Sequence, residues 1–132
     1  MTLSGSCLCG YVRYEAPRAL YAPTLCHCSS CRRSCGAHAI GWFTVAANAI
    51  VYEREVPLEW CSSNGVWRGF CGRCHSPMTY RNSEREMEID VTLASLDNPD
   101  LLAPADHIHM QDAVAWDRPA DGLPQYPGSR VI

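Results

Sequence analysis

Three thiols within six residues, Cys26, Cys28 and Cys31 in the pattern C-x-C-x-x-C, constrain this chain more than any other stretch. Thiolates packed so closely either hold a metal ion or repel one another, and zinc is the default ion for such sites. Three sulfurs are one short of zinc's usual four. Structural zinc sites close all four positions with protein, whereas catalytic sites leave one open. The candidates for a fourth ligand are Cys35, His27, His38 and Cys61. Cys35 follows Cys31 by four residues, so one helical turn can bring both sulfurs to one ion. With Cys35 bound the site is closed; without it, the free corner takes water or an exogenous thiol. Arg32 and Arg33 come next in the chain. They can offset the single negative charge of three thiolates on a divalent ion, attract an anionic ligand, or stand as a solvated pair.

There are nine cysteines, and seven of them sit in C-x-C or C-x-x-C spacing. A disulfide framework suits an even number in an exported chain. Here the number is odd, and Met1 to Gly5 has neither the basic nor the apolar region of a signal peptide. Metal binding in the cytoplasm is the expectation. With 132 residues, a single domain over 1–132 is expected, and no apolar run is long enough to span a bilayer. The formal net charge is -3, which argues against a phosphate backbone as partner. Oligomeric state is left open.

The pattern along the chain is mainly β, with few short helical turns. Strands are expected at 11–15, 21–25, 37–45, 58–62, 66–70, 78–81 and 87–93, the last with clean period-two alternation. Residues 50–53 read as the return arm of a hairpin after the 37–45 strand. Asn64-Gly65 is a strong two-residue hairpin signal. Residues 29–34 can form a short helical turn carrying Cys31. After Pro104 the chain reads as irregular, with a Pro/Gly-rich tail over 118–132. Trp42, Phe43, Trp60 and Trp67 are expected in the core, with lining a cleft as the alternative for one of them, and Cys61 as a small buried hydrophobe.

Cys7 and Cys9 form one pair of thiols, and Cys71 and Cys74 another. Two pairs complete a tetrahedron, so a shared zinc would clip the start of the chain to its middle and turn binding energy into folding energy. Cys9 can alternatively serve the three-thiol cluster. If that cluster stays open, its zinc can bind a thiol and stabilise the thiolate, a nucleophile toward an aldehyde carbonyl. Arg68, just before the second pair, can meet a substrate carboxylate or form an internal salt bridge. His107 and His109, two apart on an extended segment, would face one side. Asp90, in an apolar strand, suggests a buried hydrogen-bonding role.

These motifs together resemble the glutathione-dependent formaldehyde-activating enzymes, the S-(hydroxymethyl)glutathione synthase and centromere-protein-V-like family. The resemblance is carried by Gly5 to Gly10, Cys26 to Arg33, Gly36-Ala37, Arg68 to Cys74, Tyr80-Arg81, Ile89 to Val91, His107-Ile108, Trp116 and Asp121 to Tyr126. It implies a β-tent fold of small antiparallel sheets. It implies a structural zinc on Cys7, Cys9, Cys71 and Cys74, and a second, catalytic zinc on Cys26, Cys28 and Cys31. The implied activity is that of a carbon–sulfur lyase acting on a glutathione-like thiol and an aldehyde such as formaldehyde; Arg32 and Arg68, by charge and position, are the candidate substrate contacts. The rival reading is a zinc-stabilised binding module with both metals structural. Two features depart from the family pattern: His75 stands where glycine is common, and Cys35 and Cys61 are extra thiols.

Overall fold

The computed structural model describes residues 2–130. Its elements are β1 (Leu3–Ser6), β2 (Arg13–Ala16), β3 (Thr24–Cys26), α1 (Ser29–Cys35), β4 (Ile40–Ala46), β5 (Val51–Tyr52), β6 (Leu58–Ser63), β7 (Val66–Phe70), β8 (Pro77–Asn82), β9 (Glu88–Thr92) and β10 (Asp106–Ile108), with single 3-10 turns between some of them. The fold is mainly β, as the sequence indicates. No helix among the described residues is long and apolar enough to cross a membrane. Met1, Val131 and Ile132 lie outside the described residues.

The strands form two sheets. One has the order β1-β2-β5 and the other β10-β3-β4-β9-β8-β7-β6. Every pairing is antiparallel except β10 with β3. Period-two alternation decides what the large sheet does with its faces. Phe43 and Val45 of β4 and Ile89 and Val91 of β9 are buried against Leu3 and Tyr14 of the small sheet, and Met78 of β8 joins them at a shift in register that breaks its alternation with Tyr80. Burying side chains of this size contributes roughly 1.5–3 kcal/mol each. The intervening residues Trp42, Thr44, Tyr80 and Asp90 point to the opposite face, which floors a cleft.

Several expectations need correction. The 50–53 arm does not return along β4, because both edges of β4 are taken by β3 and β9. Tyr52 instead pairs with Tyr14 of β2 and completes the small sheet. The strand expected at 21–25 begins only at Thr24, after Pro23. The region after Pro104 is not wholly irregular. It contains β10, whose outer edge is covered by the tail: Tyr126 donates its N–H to the His107 carbonyl, and His107 donates to that of Pro124. Trp60 and Trp67 are not core; β6 is an edge strand without a second layer, and Trp60 is 64% exposed. Cys61 is likewise exposed. Trp42 and Phe43 are buried as expected.

Candidate functional site

Two turns bring four thiols together. Cys7 and Cys9 follow β1, Cys71 and Cys74 follow β7, and their sulfurs all lie within 4.8 Å of one another. Cys9 Sγ stands 3.6 Å from Cys7 Sγ and 3.8 Å from Cys71 Sγ. A tetrahedron with metal–sulfur bonds of about 2.3 Å has edges of about 3.8 Å, so the spacing fits a four-coordinate ion. Backbone N–H groups point at the sulfurs: Val12 donates to Cys7 Sγ at 3.3 Å, and Arg73 and Cys74 donate to Cys71 Sγ at 3.3 and 3.4 Å. Such donors stabilise thiolates and orient ligands. The Ser76 hydroxyl and backbone pull Cys74 down to about 5. A backbone bond at Tyr11 lowers Cys9, but burial and its sulfur neighbours outweigh this and push it up to about 11. Cys7 and Cys9 thus belong to this cluster, and Cys9 does not serve the other one. His75 has φ +64°, a left-handed conformation that glycine adopts without strain. His75 donates its N–H to the Cys71 carbonyl at 2.9 Å and sets its ring edge-on to Phe70.

The second cluster is local. Cys26 ends β3, Cys28 is the N-cap of α1 with its sulfur accepting from Cys31 N–H, and Cys31 lies in the first turn. Gly36, at φ +66°, ends the helix after two turns. The three sulfurs lie within 4.8 Å of one another, and among the described residues no fourth Cys, His, Asp or Glu joins them. Each candidate for closure is engaged elsewhere. Cys35, at the far end of α1, bonds the Ser34 hydroxyl and lines a separate groove with Cys7 and Leu8. His38 pairs with Asp117 at 2.7 Å, and Cys61 sits on β6. His27 turns away: its Nε2 bonds His107 Nδ1 at 2.9 Å, and His107 Nε2 bonds Asp121 at 2.8 Å. That chain fixes the tautomers if both rings are neutral, with His107 donating to Asp121 and His27 donating to His107. His27 Nδ1 is buried without a partner.

The cluster opens into a cleft of about 910 Å³. Bonds from Cys26 and Cys31 draw Cys28 down to about 2, while the same sulfur contacts and burial push Cys26 up. Three clustered soft donors, Cys26 and Cys31 buried and Cys28 half-buried, suit a divalent ion of zinc's type. Arg68 lies beside them, with Nη1 and Nη2 each 3.8 Å from Cys31 Sγ, Nη1 3.0 Å from Ser34 Oγ, and its guanidinium 5.1 Å from the centre of the Tyr80 ring. Arg33 also lines the cleft, whereas Arg32 does not; the Arg32 Nε is buried without a partner. Among the described residues, Arg33 and Arg68 have no carboxylate partner, while the cleft's other arginines, Arg85 and Arg130, are paired with acids.

Asp90 has the hydrogen-bonding role expected of it, accepting from Thr44 Oγ1 at 2.6 Å and Arg85 Nη2 at 2.8 Å. His107 and His109 do not face one side. The strand stops at Ile108, and His109 takes φ +56° and lines the cleft while His107 is buried. The sequence allowed one of its large aromatics to line a cleft, and Trp42 and Trp60 both do; Tyr80 and Asp121 were read only within family motifs, and nothing local marked the bond from Asp121 to His107.

The model of the family described as glutathione-dependent formaldehyde-activating enzyme matches residues 2–112. A protein of Halomonas elongata named "Putative glutathione-dependent formaldehyde-activating enzyme" is 32% identical over 120 residues, covering 83% of this chain and 74% of the relative. A crystal structure of a Rhodobacter sphaeroides protein superposes with a TM-score of 0.62 at 21% identity, covering 96% of this chain and 99% of that one, a likeness of fold. The chain belongs to the glutathione-dependent formaldehyde-activating enzyme family.

Proposed function

We propose that Cys26, Cys28 and Cys31 hold a zinc ion whose fourth position takes a small thiol of the glutathione type, and that the protein adds this thiol to an aldehyde such as formaldehyde. The observation that carries the reading is the missing fourth ligand. A zinc ion bound there would lower a thiol's pKa from about 8.5 and make its thiolate available at neutral pH. In the addition, a sulfur lone pair forms the carbon–sulfur bond and the carbonyl π pair moves onto oxygen. That oxygen takes up a proton, replacing the one the thiol gave up, and no redox change occurs. The reverse is the lyase direction.

The chain's own residues bind and orient. Arg68 balances the sulfur charge at Cys31 and, with Arg33, offers unpaired cations to the carboxylates of the thiol. Arg32, the other arginine of the motif, does not line the cleft and is not assigned a substrate contact. Cys7, Cys9, Cys71 and Cys74 hold a second, structural zinc. Nine unbridged cysteines suit a reducing compartment, the cytoplasm. The rival binding-module reading needs a fourth protein ligand, and none of the described side chains supplies it.

The test is spectroscopic and kinetic. Cobalt placed in the three-thiol site should change its thiolate-to-metal bands when glutathione is added. Cys28→Ser should abolish turnover while the protein stays folded. Unaltered bands, or a wild-type rate in the variant, would rule the proposal out.

A further inference from the structure

Cross-strand partners in an antiparallel ladder share a face. Across the large sheet one such row runs Trp60, Arg68, Tyr80, Asp90, Thr44. All five side chains line the cleft. Arg68 reaches Cys31 Sγ from this row. Trp60 stands one strand further out, a spacing of about 4.8 Å. An aromatic surface therefore lies one strand beyond Arg68, whose guanidinium reaches the thiols. Val66, the next residue of β7 on this face, lines the same end of the cleft beside the small Ser62 and Ser63.

Trp60 is an exposed aromatic on the cleft side of the edge strand. The other tryptophan of the hairpin, Trp67, is on the opposite face and carries the Arg81 guanidinium 5.9 Å above its ring. Trp60 is 64% exposed and has no cation or ring stacked on it among the described residues. A glutathione-like thiol is polar along its length, and formaldehyde has no hydrocarbon at all. Neither would cover this ring. The thiol's carboxylates have Arg33 and Arg68 to meet, which leaves the carbonyl partner to fill the apolar end. The cleft, about 910 Å³, is near the upper end of small-ligand sites, which run to about 1,000 Å³.

We infer that Trp60, Val66 and the space over Ser62 and Ser63 form an apolar subsite for the hydrocarbon substituent of the carbonyl substrate, a medium-length alkyl chain or an aryl ring. The inference rests on the thiol–aldehyde reading and narrows its electrophile to aldehydes larger than formaldehyde.

The test uses the zinc-loaded protein and two inert mimics of the adduct, S-hexylglutathione and S-methylglutathione, with binding measured by calorimetry. The wild type should favour the hexyl compound by about tenfold, a ratio in the range that apolar pockets reach. In Trp60→Ala the ratio should fall to about one; in Trp67→Ala, on the other face of the same hairpin, it should persist. In turnover, hexanal should be preferred to formaldehyde, and Trp60→Ala should erase that preference. Equal affinity of the wild type for the two mimics overturns the inference. So does a Trp60→Ala effect that appears only with an alkyl thiol and formaldehyde, since that would put the arm on the wrong partner. If glutathione leaves the cobalt bands unaltered while the hexyl preference and its loss in Trp60→Ala remain, the thiol-activation reading fails and the apolar subsite stands.

Discussion

At the scale of single residues, His75 and Arg68 show how position sets a side chain's consequence. His75 occupies a left-handed turn that costs a residue with a Cβ about 1 kcal/mol relative to glycine. His75→Gly should raise stability by up to about 1 kcal/mol in urea melts of the metal-loaded protein. A loss would mean that the contact with Phe70 outweighs the backbone. Arg68→Met keeps a long apolar stem over Tyr80 but removes both N–H groups facing Cys31. It should raise the KM for the thiol by about tenfold and weaken retention of the second metal against a chelator, as losses of outer-shell donors do. Acidic side chains set the pH response. The Arg13 guanidinium holds Asp97 below the usual carboxylate range. Burial pushes Asp106 up, but Arg130 and Thr24 outweigh it and hold that carboxyl down as well. Depressed folded-state values mean stability that is complete above the unfolded pKa of about 3.9 and lost as pH falls through the folded values. Asp106→Asn should therefore flatten the acid limb of a stability profile below about pH 4, with little change in the slope near neutrality.

At the scale of elements, the tail and β10 act as one unit. Asp121 bonds buried His107, and the tail backbone pairs with the same strand. Asp121→Ala should speed hydrogen exchange at the His107 and Tyr126 amides, while the amides of β4 and β9 stay protected. The sequence made some elements legible and hid others for definable reasons. The β9 alternation, the short helix carrying Cys31 and the Asn64-Gly65 turn were readable because each has a local cause. The pairing of β5 with β2 was not, because it depends on β9, far along the chain, having occupied the other edge of β4. Register shows the same limit. A plain two-residue turn that pairs Ser63 with Val66 would place Gly69 opposite Trp60. A bulge between Cys61 and Ser63 shifts the ladder and puts Arg68 there instead. The three-thiol cluster lay open to view because its cysteines span six residues; the lack of a fourth donor among the described residues did not, since that depended on where Cys35, His27 and His38 would turn.

At the scale of the whole molecule, the two thiol clusters differ in what they hold together. One closes a long loop, with Cys9 and Cys71 separated by 62 positions, so an ion there constrains the unfolded chain and couples to folding. The other ties together only the end of β3 and the start of α1. A chelator titration should remove the second metal first with little change in circular dichroism, and loss of the first should coincide with unfolding. Cys71→Ser should behave as the demetallated, unfolded form, whereas Cys28→Ser should not.

Arg130 pins the tail by bonding Asp106 and the carbonyls of Ala22 and Pro23, and with Ser129 it forms part of the cleft wall. During synthesis, all nine cysteines emerge well before that wall is built. A nascent chain can thus present both thiol clusters to metal while still tethered to the ribosome, before Ser129 and Arg130 complete the cleft wall.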